Sequence, residues 1–276
     1  MGSNNVSGND NTAVGMRALK TLNAGANNVA VGVDALAVNQ AGSNGVAIGT
    51  NALKSDTSVE ESVAVGMNAL MSQTSGRNTA VGFHTLQDLT SGTYNTAVGG
   101  EALENITTGV DNVALGAFAG RAETTGSYNT LVGYQAGLEG GGDGNTLIGR
   151  LAGRDNTVSH IVAIGYNACL YNTTGTNNTA VGFQALINYK TVSYNTAVGY
   201  MCMGGGSASG AGNTGTQNTM MGRYTGHSIT TGNNNSGFGM EALYALTTGG
   251  SNVAVGYYAS QLSVSGNFNV ALGQQA

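Results

Sequence analysis

Catalysis in this chain would need paired carboxylates, a histidine beside an acid, or a cluster of metal ligands. The 276 residues hold 14 Asp and Glu, 3 His and 2 Cys, and they are scattered. Glu60 and Glu61 are adjacent, Glu101 and Glu241 each stand two residues past a glycine in distant parts of the chain, and His84, His160 and His227 lie too far apart to share a site. Residues 141–149, GGDGNTLIG, match a calcium-binding nonapeptide except that Thr146 stands where a carboxylate is required. Calcium solenoids repeat that motif so that each ion is shared between turns, and here it occurs once, which favours a plain glycine-rich turn. The expectation is a chain that is not an enzyme and carries no cofactor or metal.

The other chemistry on offer is recognition. Tyr94, Tyr128 and Tyr194, with Phe268, precede an Asn or its equivalent in a recurring pattern, while Tyr134, Tyr166, Tyr200 and Tyr257 follow a recurring glycine. Tyrosines beside Asn, Thr and Gln can stack on sugar rings while the polar groups bond hydroxyls, so these seven are candidate glycan contacts. The same rings can instead cover corners and stack on one another. Residues 204–212, GGGSASGAG, lack the GK[ST] ending of a phosphate loop and read as a surface excursion, the first place to look for a specific contact.

What must position these side chains is a repeat. The pattern Asn95-Thr96-Ala97-Val98-Gly99 returns along the chain, with its glycine at 15, 32, 49, 66, 82, 99, 116, 133, 149, 165, 182, 199, 222, 239, 256 and 273. The spacing is 17 residues eleven times, 16 three times and 23 once. A period this short fits one coil of a parallel β-solenoid and is too short for a helical pair. The fold class is therefore all-β, a solenoid of about 16 coils of 17 residues. Residues 1–10 read as a lead, Met1-Gly2-Ser3 as an appended scar with the natural chain beginning further upstream, and 11–276 as a single domain interrupted by an insertion at about 200–217. Toward the other end, NVALGQQA stops at Ala276 without a visible cap, the pattern of a segment cut from a longer fibre.

Within one coil the residue four before the glycine is Asn in 13 of 16 repeats, and the next is Thr, Val or Ser, as a strand prefers. Structural anchors of this kind are Asn95, Val98 and Gly99, Asn112 and Gly116, and Asn178 and Gly182. Stacking would align the Asn side chains into a ladder; capping of each residue's own turn is the local alternative. After the glycine comes an Ala-Leu limb (Ala102, Leu103), which is either a second strand or a single helical turn. Strand alternation sets Val98 and Thr96 on one face, Ala97 and Asn95 on the other. Small Ala97 and Ala102 suit a narrow interior, leaving the Val98 face to be covered by partner chains; alternatively Val98 and Leu103 fill the interior and the Ala stripe is exposed. Cys169 and Cys202 fall in the limb two coils apart, ~9 to 10 Å, beyond the ~7 Å reach of a disulfide, and should be free thiols.

Composition excludes several classes. Charged residues make up 8%, with 46 Gly, no Pro, no Trp and a net charge of -5. There is no basic face for nucleic acid, and no apolar run of ~18 residues for membrane insertion. Disorder is disfavoured because β-branched residues recur in register.

The unit N-[TV]-A-[VIL]-G-x-x-A-L resembles the head repeats of trimeric autotransporter adhesins and, more closely, the NTAVGxxAL repeats of phage tail fibres. It covers nearly the whole chain from about Asn11. The resemblance implies a left-handed β-roll packed as a homotrimer, a shaft or head for host-surface attachment that contacts a host glycan or protein. It places the chain in the virion or outside the cell, at the cell surface if an adhesin. Two departures stand out: the period of 17 exceeds that of adhesin heads, and no stalk, anchor or chaperone domain is visible. An ice- or crystal-surface binder and a polysaccharide-degrading tailspike are the alternatives. The first is weakened because Thr alternates with Val at the strand position, as a buried position would.

Overall fold

A computed structural model describes residues 8–58, 60–74, 76–205 and 213–276. They form a parallel β-solenoid with no helix among them. The chain divides into two compact units, one ending at Gln135 and one beginning at Ala136. The first holds β1 (Thr12–Val14) to β8 (Thr130–Val132), the second β9 (Thr146–Ile148) to β16 (Val270–Leu272), each strand three residues long and one per coil. Inside each unit consecutive strands pair in parallel and in register, as Ala80, Ala97 and Ala114 do.

The interior is narrow, and alanine is what fits. Ala97, Ala102 and Leu103 are fully buried, so the alternative that exposes the Ala stripe is overturned. Leu103 joins the alanines inside while Val98 points outward. Where the strand residue is large, the limb gives way. Leu147 replaces Ala in β9 and Gly153 replaces Leu six residues later; a Cβ on Gly153 would meet Leu147 Cδ2 at 2.8 Å. Met220 and Gly226 repeat the exchange. Volume is conserved within these two coils, as close packing demands, while the space over Gly120 is filled by Leu131 and Leu103 of the flanking coils.

The limb is neither strand nor helical turn. Glu101 (φ 57°) and Leu103 (φ 49°) are left-handed, and the same offsets recur from coil to coil. The path turns at every second residue, so that Glu101 N–H bonds back to Phe83 O at 2.9 Å and Leu103 N–H forward to Ala119 O at 2.9 Å. The left-handed form costs a Leu about 1–2 kcal/mol, and burial of its side chain returns about 1.5–3 kcal/mol.

The asparagines form the inter-coil ladder. Asn95 Nδ2 donates to Asn78 Oδ1 (3.1 Å) and to Gly109 O (2.8 Å), while Asn95 Oδ1 accepts from the N–H (3.0 Å) and Nδ2 (3.0 Å) of Asn112. In the second unit Asn178, Asn195, Asn218, Asn235 and Asn252 continue the pattern. The 23-residue spacing leaves the register intact: β12 (Thr196–Val198) pairs with β13 (Thr219–Met221), and Asn218 N–H still meets Asn195 Oδ1 at 3.0 Å. Residues 206–212, the greater part of the glycine-rich insertion, lie outside the described residues.

Cys169 takes the limb's Leu position and Cys202 its Ala position; both are free and buried, as the spacing requires. Burial pushes each thiol up to about 12.

Asp56 is the most deeply buried of three buried carboxylates among the described residues, with Glu123 and Asp34, in a weakly charged chain. It stands in the interior between Asn39 and Gln73 of the flanking coils, accepting from Gln73 Nε2 at 2.7 Å and from Ser58 N–H at 3.0 Å. Desolvation nevertheless dominates, opposed by those two bonds and reinforced by Glu60, and raises its pKa above the ordinary carboxylate value. A raised carboxylate pKa means that the fold binds the proton more tightly than the unfolded chain. Its contribution is fully present below ~3.9 and is lost as pH rises through the raised value. In Asp56→Asn the gain in melting temperature on acidification from about pH 7 to about pH 4.5 should be smaller than in the wild type. Identical pH profiles by circular dichroism would show that Asp56 carries no such linkage.

Candidate functional site

Strand alternation turns every second residue outward, and that face carries no charge. Thr96 and Val98 in β6 (Thr96–Val98) point away from the buried Ala97, and the outward positions of all sixteen strands are Thr, Val, Ser, Ile, Leu, Met or Phe. Val98 is 39% exposed, Leu115 39% and Ile48 40% in the first unit; Met221 and Val255 match them in the second. The Thr96 position is thus outward and part-exposed, and its alternation with Val is not the mark of a buried site. The threonines of the turns differ: Thr90 Oγ1 donates to Thr107 O (2.9 Å) and Thr107 Oγ1 to Thr124 O (2.9 Å), which ties their hydroxyls to the stack.

The tyrosines flank this face on two edges, and the two sets are not equivalent. Past the glycine, Tyr166 stacks on Phe183 (centroids 5.3 Å, 11° between planes) and Phe183 on Tyr200 (5.1 Å, 5°). Arg150 covers the outer face of Tyr166 at 5.5 Å, and Tyr224 meets Tyr200 edge-on at 5.4 Å. The ring faces in this column are therefore occupied by neighbours. Tyr134 is edge-on to Phe118 (5.8 Å), and Tyr257 stacks on Tyr258 (3.9 Å).

On the opposite edge Tyr94, Tyr128 and Tyr194 are 56%, 64% and 61% exposed, with no ring neighbour among the described residues. All three are left-handed, at φ 61°, 62° and 61°. Other coils give this corner to Asn27, Asn44, Asn177 and Asn234, residues that adopt such a conformation at low cost. Leu103 offsets its strain by burial. These exposed rings do not.

One charged cluster assembles that the spacing did not disclose. Arg121 Nε lies 2.9 Å from Glu104 Oε2 and 3.0 Å from Glu101 Oε2; Glu104 Oε1 lies 3.5 Å from His84 Nδ1, and Asn68 Nδ2 is 3.1 Å from His84 Nε2. Its members come from four successive coils, with partners 16 to 20 residues apart, so only column-by-column alignment of the repeat could have found it. The hydrogen bond that Arg121 donates to Glu104 raises the Arg121 pKa, and burial opposes it. With Asn68 donating to Nε2, the His84 ring proton sits on Nδ1 towards Glu104. Both ring nitrogens are engaged and both carboxylates face one guanidinium, the pattern of an ion-pair network.

Of the remaining singled-out residues, Asp143 and His160 meet in neighbouring coils, His160 N–H donating to Asp143 O at 3.0 Å. Asp143 heads the turn into β9, its N–H donating to Ser159 Oγ at 2.9 Å. His227 stacks on Tyr244 (5.1 Å), and burial lowers its pKa despite Glu241. No group of three or more metal-ligating side chains gathers among the described residues. Compared with known proteins, the chain matches no family model, no curated protein and no solved structure.

Proposed function

We propose that this chain is a non-enzymatic fibre segment, a homotrimeric shaft or head for host-surface attachment, carried by a phage tail fibre or a surface adhesin in the virion or at the cell surface. The observation that carries the reading is the uncharged outward strand face with Val98 at its centre. A Val or Leu side chain worth 1.5–3 kcal/mol represents roughly 60–120 Å², so the outward residues of one unit's eight strands, two per strand and about four-tenths exposed, offer on the order of 400–800 Å². A standard interface takes ~800 Å² per partner, and solvent-facing sheets of soluble chains are ordinarily polar. Two further copies of the same chain are the simplest cover. The NTAVGxxAL resemblance supports the same assembly.

Val98→Asp is expected to bring three carboxylates together near the assembly axis and to convert a trimer into monomers, read as a threefold fall in mass by light scattering. A wild-type chain that is monomeric with intact β circular dichroism would sink the trimer, and a variant that stays trimeric would remove Val98 from the interface. A second reading, binding to ice or another crystal surface, draws on the outward Thr96 column. It requires thermal hysteresis, and an inactive chain closes it.

A further inference from the structure

From the corner tyrosines of the first unit we infer a glycan-binding edge built around Tyr94 and Tyr128, with a neutral or amino-sugar chain as its ligand. The corner column runs Asn44, Glu61, Arg77, Tyr94, Asp111 and Tyr128, one residue per coil. Backbone bonds fix its rungs: Tyr94 N–H to Arg77 O (2.9 Å), Asp111 N–H to Thr93 O (3.1 Å) and Tyr128 N–H to Val110 O (3.0 Å). Two coils separate the tyrosines, about 10 Å, with the Asp111 carboxylate between them. Arg77 is held on the same edge by Glu60 (3.5 Å) and Glu61 (3.4 Å), with its Nη1 3.4 Å from Tyr94 Oη. Two shallow depressions join there, one lined by Ser43, Asn44 and Glu61, the other by Thr93 and Tyr94, and they share Ser58, Glu60 and Arg77.

Each feature fits a sugar chain. Two ring faces free of aromatic neighbours, spaced along a straight edge, can take the apolar faces of two pyranoses, while carboxylate and hydroxyl groups between them bond sugar hydroxyls. Three carboxylates against one guanidinium disfavour sialic or uronic acids, and isolated rings among polar residues give no apolar patch for a protein partner. The fold itself has no use for these tyrosines. They occupy a strained corner that Asn27, Asn44, Asn177 and Asn234 fill elsewhere, and they recover little burial for it.

The inference deepens the attachment reading and can fail separately from it. The full chain, the Tyr94→Asn/Tyr128→Asn double variant and Tyr194→Asn would be applied to a printed array of neutral, amino and acidic glycans. The expected result is retention of wild type and Tyr194→Asn on neutral or amino glycans and about a tenfold loss for the double variant, whose melting temperature is unchanged or higher. No retention, retention on acidic glycans only, undiminished binding by the double variant, or a double variant that melts lower would each overturn the site. A trimer that binds no glycan sinks this site alone, and a monomer that binds sinks the trimer alone.

Discussion

Gly99→Ala is expected to destabilise the fold by about 3–5 kcal/mol, among the largest effects a single methyl group can have here. The glycine sits at φ 133°, a region essentially closed to residues with a Cβ. An added Cβ would lie 2.6 Å from both C and O of Gly116 and 2.9 Å from Ala117 N, which are backbone atoms of the next coil. No rotamer change relieves that contact, so the strained φ (about 1–3 kcal/mol) and overpacking (about 1–3 kcal/mol) add. The control lies next to it. At Gly100 the nearest atom to an added Cβ is Phe83 Cδ1 at 3.2 Å, on a side chain that can move, so Gly100→Ala should cost less than about 1 kcal/mol. Denaturant titrations of the two variants against wild type decide the matter. Equal midpoints for both would mean that neighbouring coils can separate freely at the anchor.

Asn95→Ala should cost a comparable amount, about 3–5 kcal/mol, for a different reason. The side chain makes four bonds in the stack, two as donor and two as acceptor. Removing it leaves Gly109 O and both Asn112 donors without those partners in a site that excludes water, at about 1–3 kcal/mol for each buried group stranded. Asn95→Asp separates the donor half from the acceptor half. The shape and one acceptor oxygen survive, but the second oxygen then faces Asn78 Oδ1 and Gly109 O, where two lone-pair sets repel. The Asp variant should therefore be destabilised at neutral pH and recover part of its loss on acidification, when its proton supplies a donor. Urea midpoints at neutral and acidic pH measure this. An Asn95→Ala chain within about 1 kcal/mol of wild type would mean that the ladder does not contribute to stability.

Much of the fold was legible because its determinants are local and repeated. Strand alternation around Ala97 needs only neighbouring residues, and sixteen copies of the pattern make the period unambiguous. The same regularity fixed the position of Cys169 and Cys202 in the limb and their separation by two coils. The volume exchange of Leu147 with Gly153 was visible in principle, as a large residue and a missing one in the same repeat.

Tertiary structure decided what depends on where the corners point. Whether Asn95 reaches the next coil or caps its own turn turns on backbone angles that a short polar segment does not announce, and the limb's alternating left-handed path belongs to no hydrophobic period. Leu103 accepts that path only because the stacked coils bury it completely. The seven tyrosines fall at two positions of the repeat, before the Asn and after the glycine, but sequence does not say which set has its ring faces covered. Only stacking distinguishes Tyr166 and Tyr200, whose faces are filled by rings and a guanidinium from adjacent coils, from Tyr94 and Tyr128, which stand out on a strained corner. The sequence by itself thus determined the repeat, its strands and its small-residue interior, since those follow from contacts inside one coil. The ladder, the His84–Glu104–Arg121 network and the covering of one set of tyrosines arise between coils, from residues about one coil apart in the chain whose meeting depends on closure of the turn.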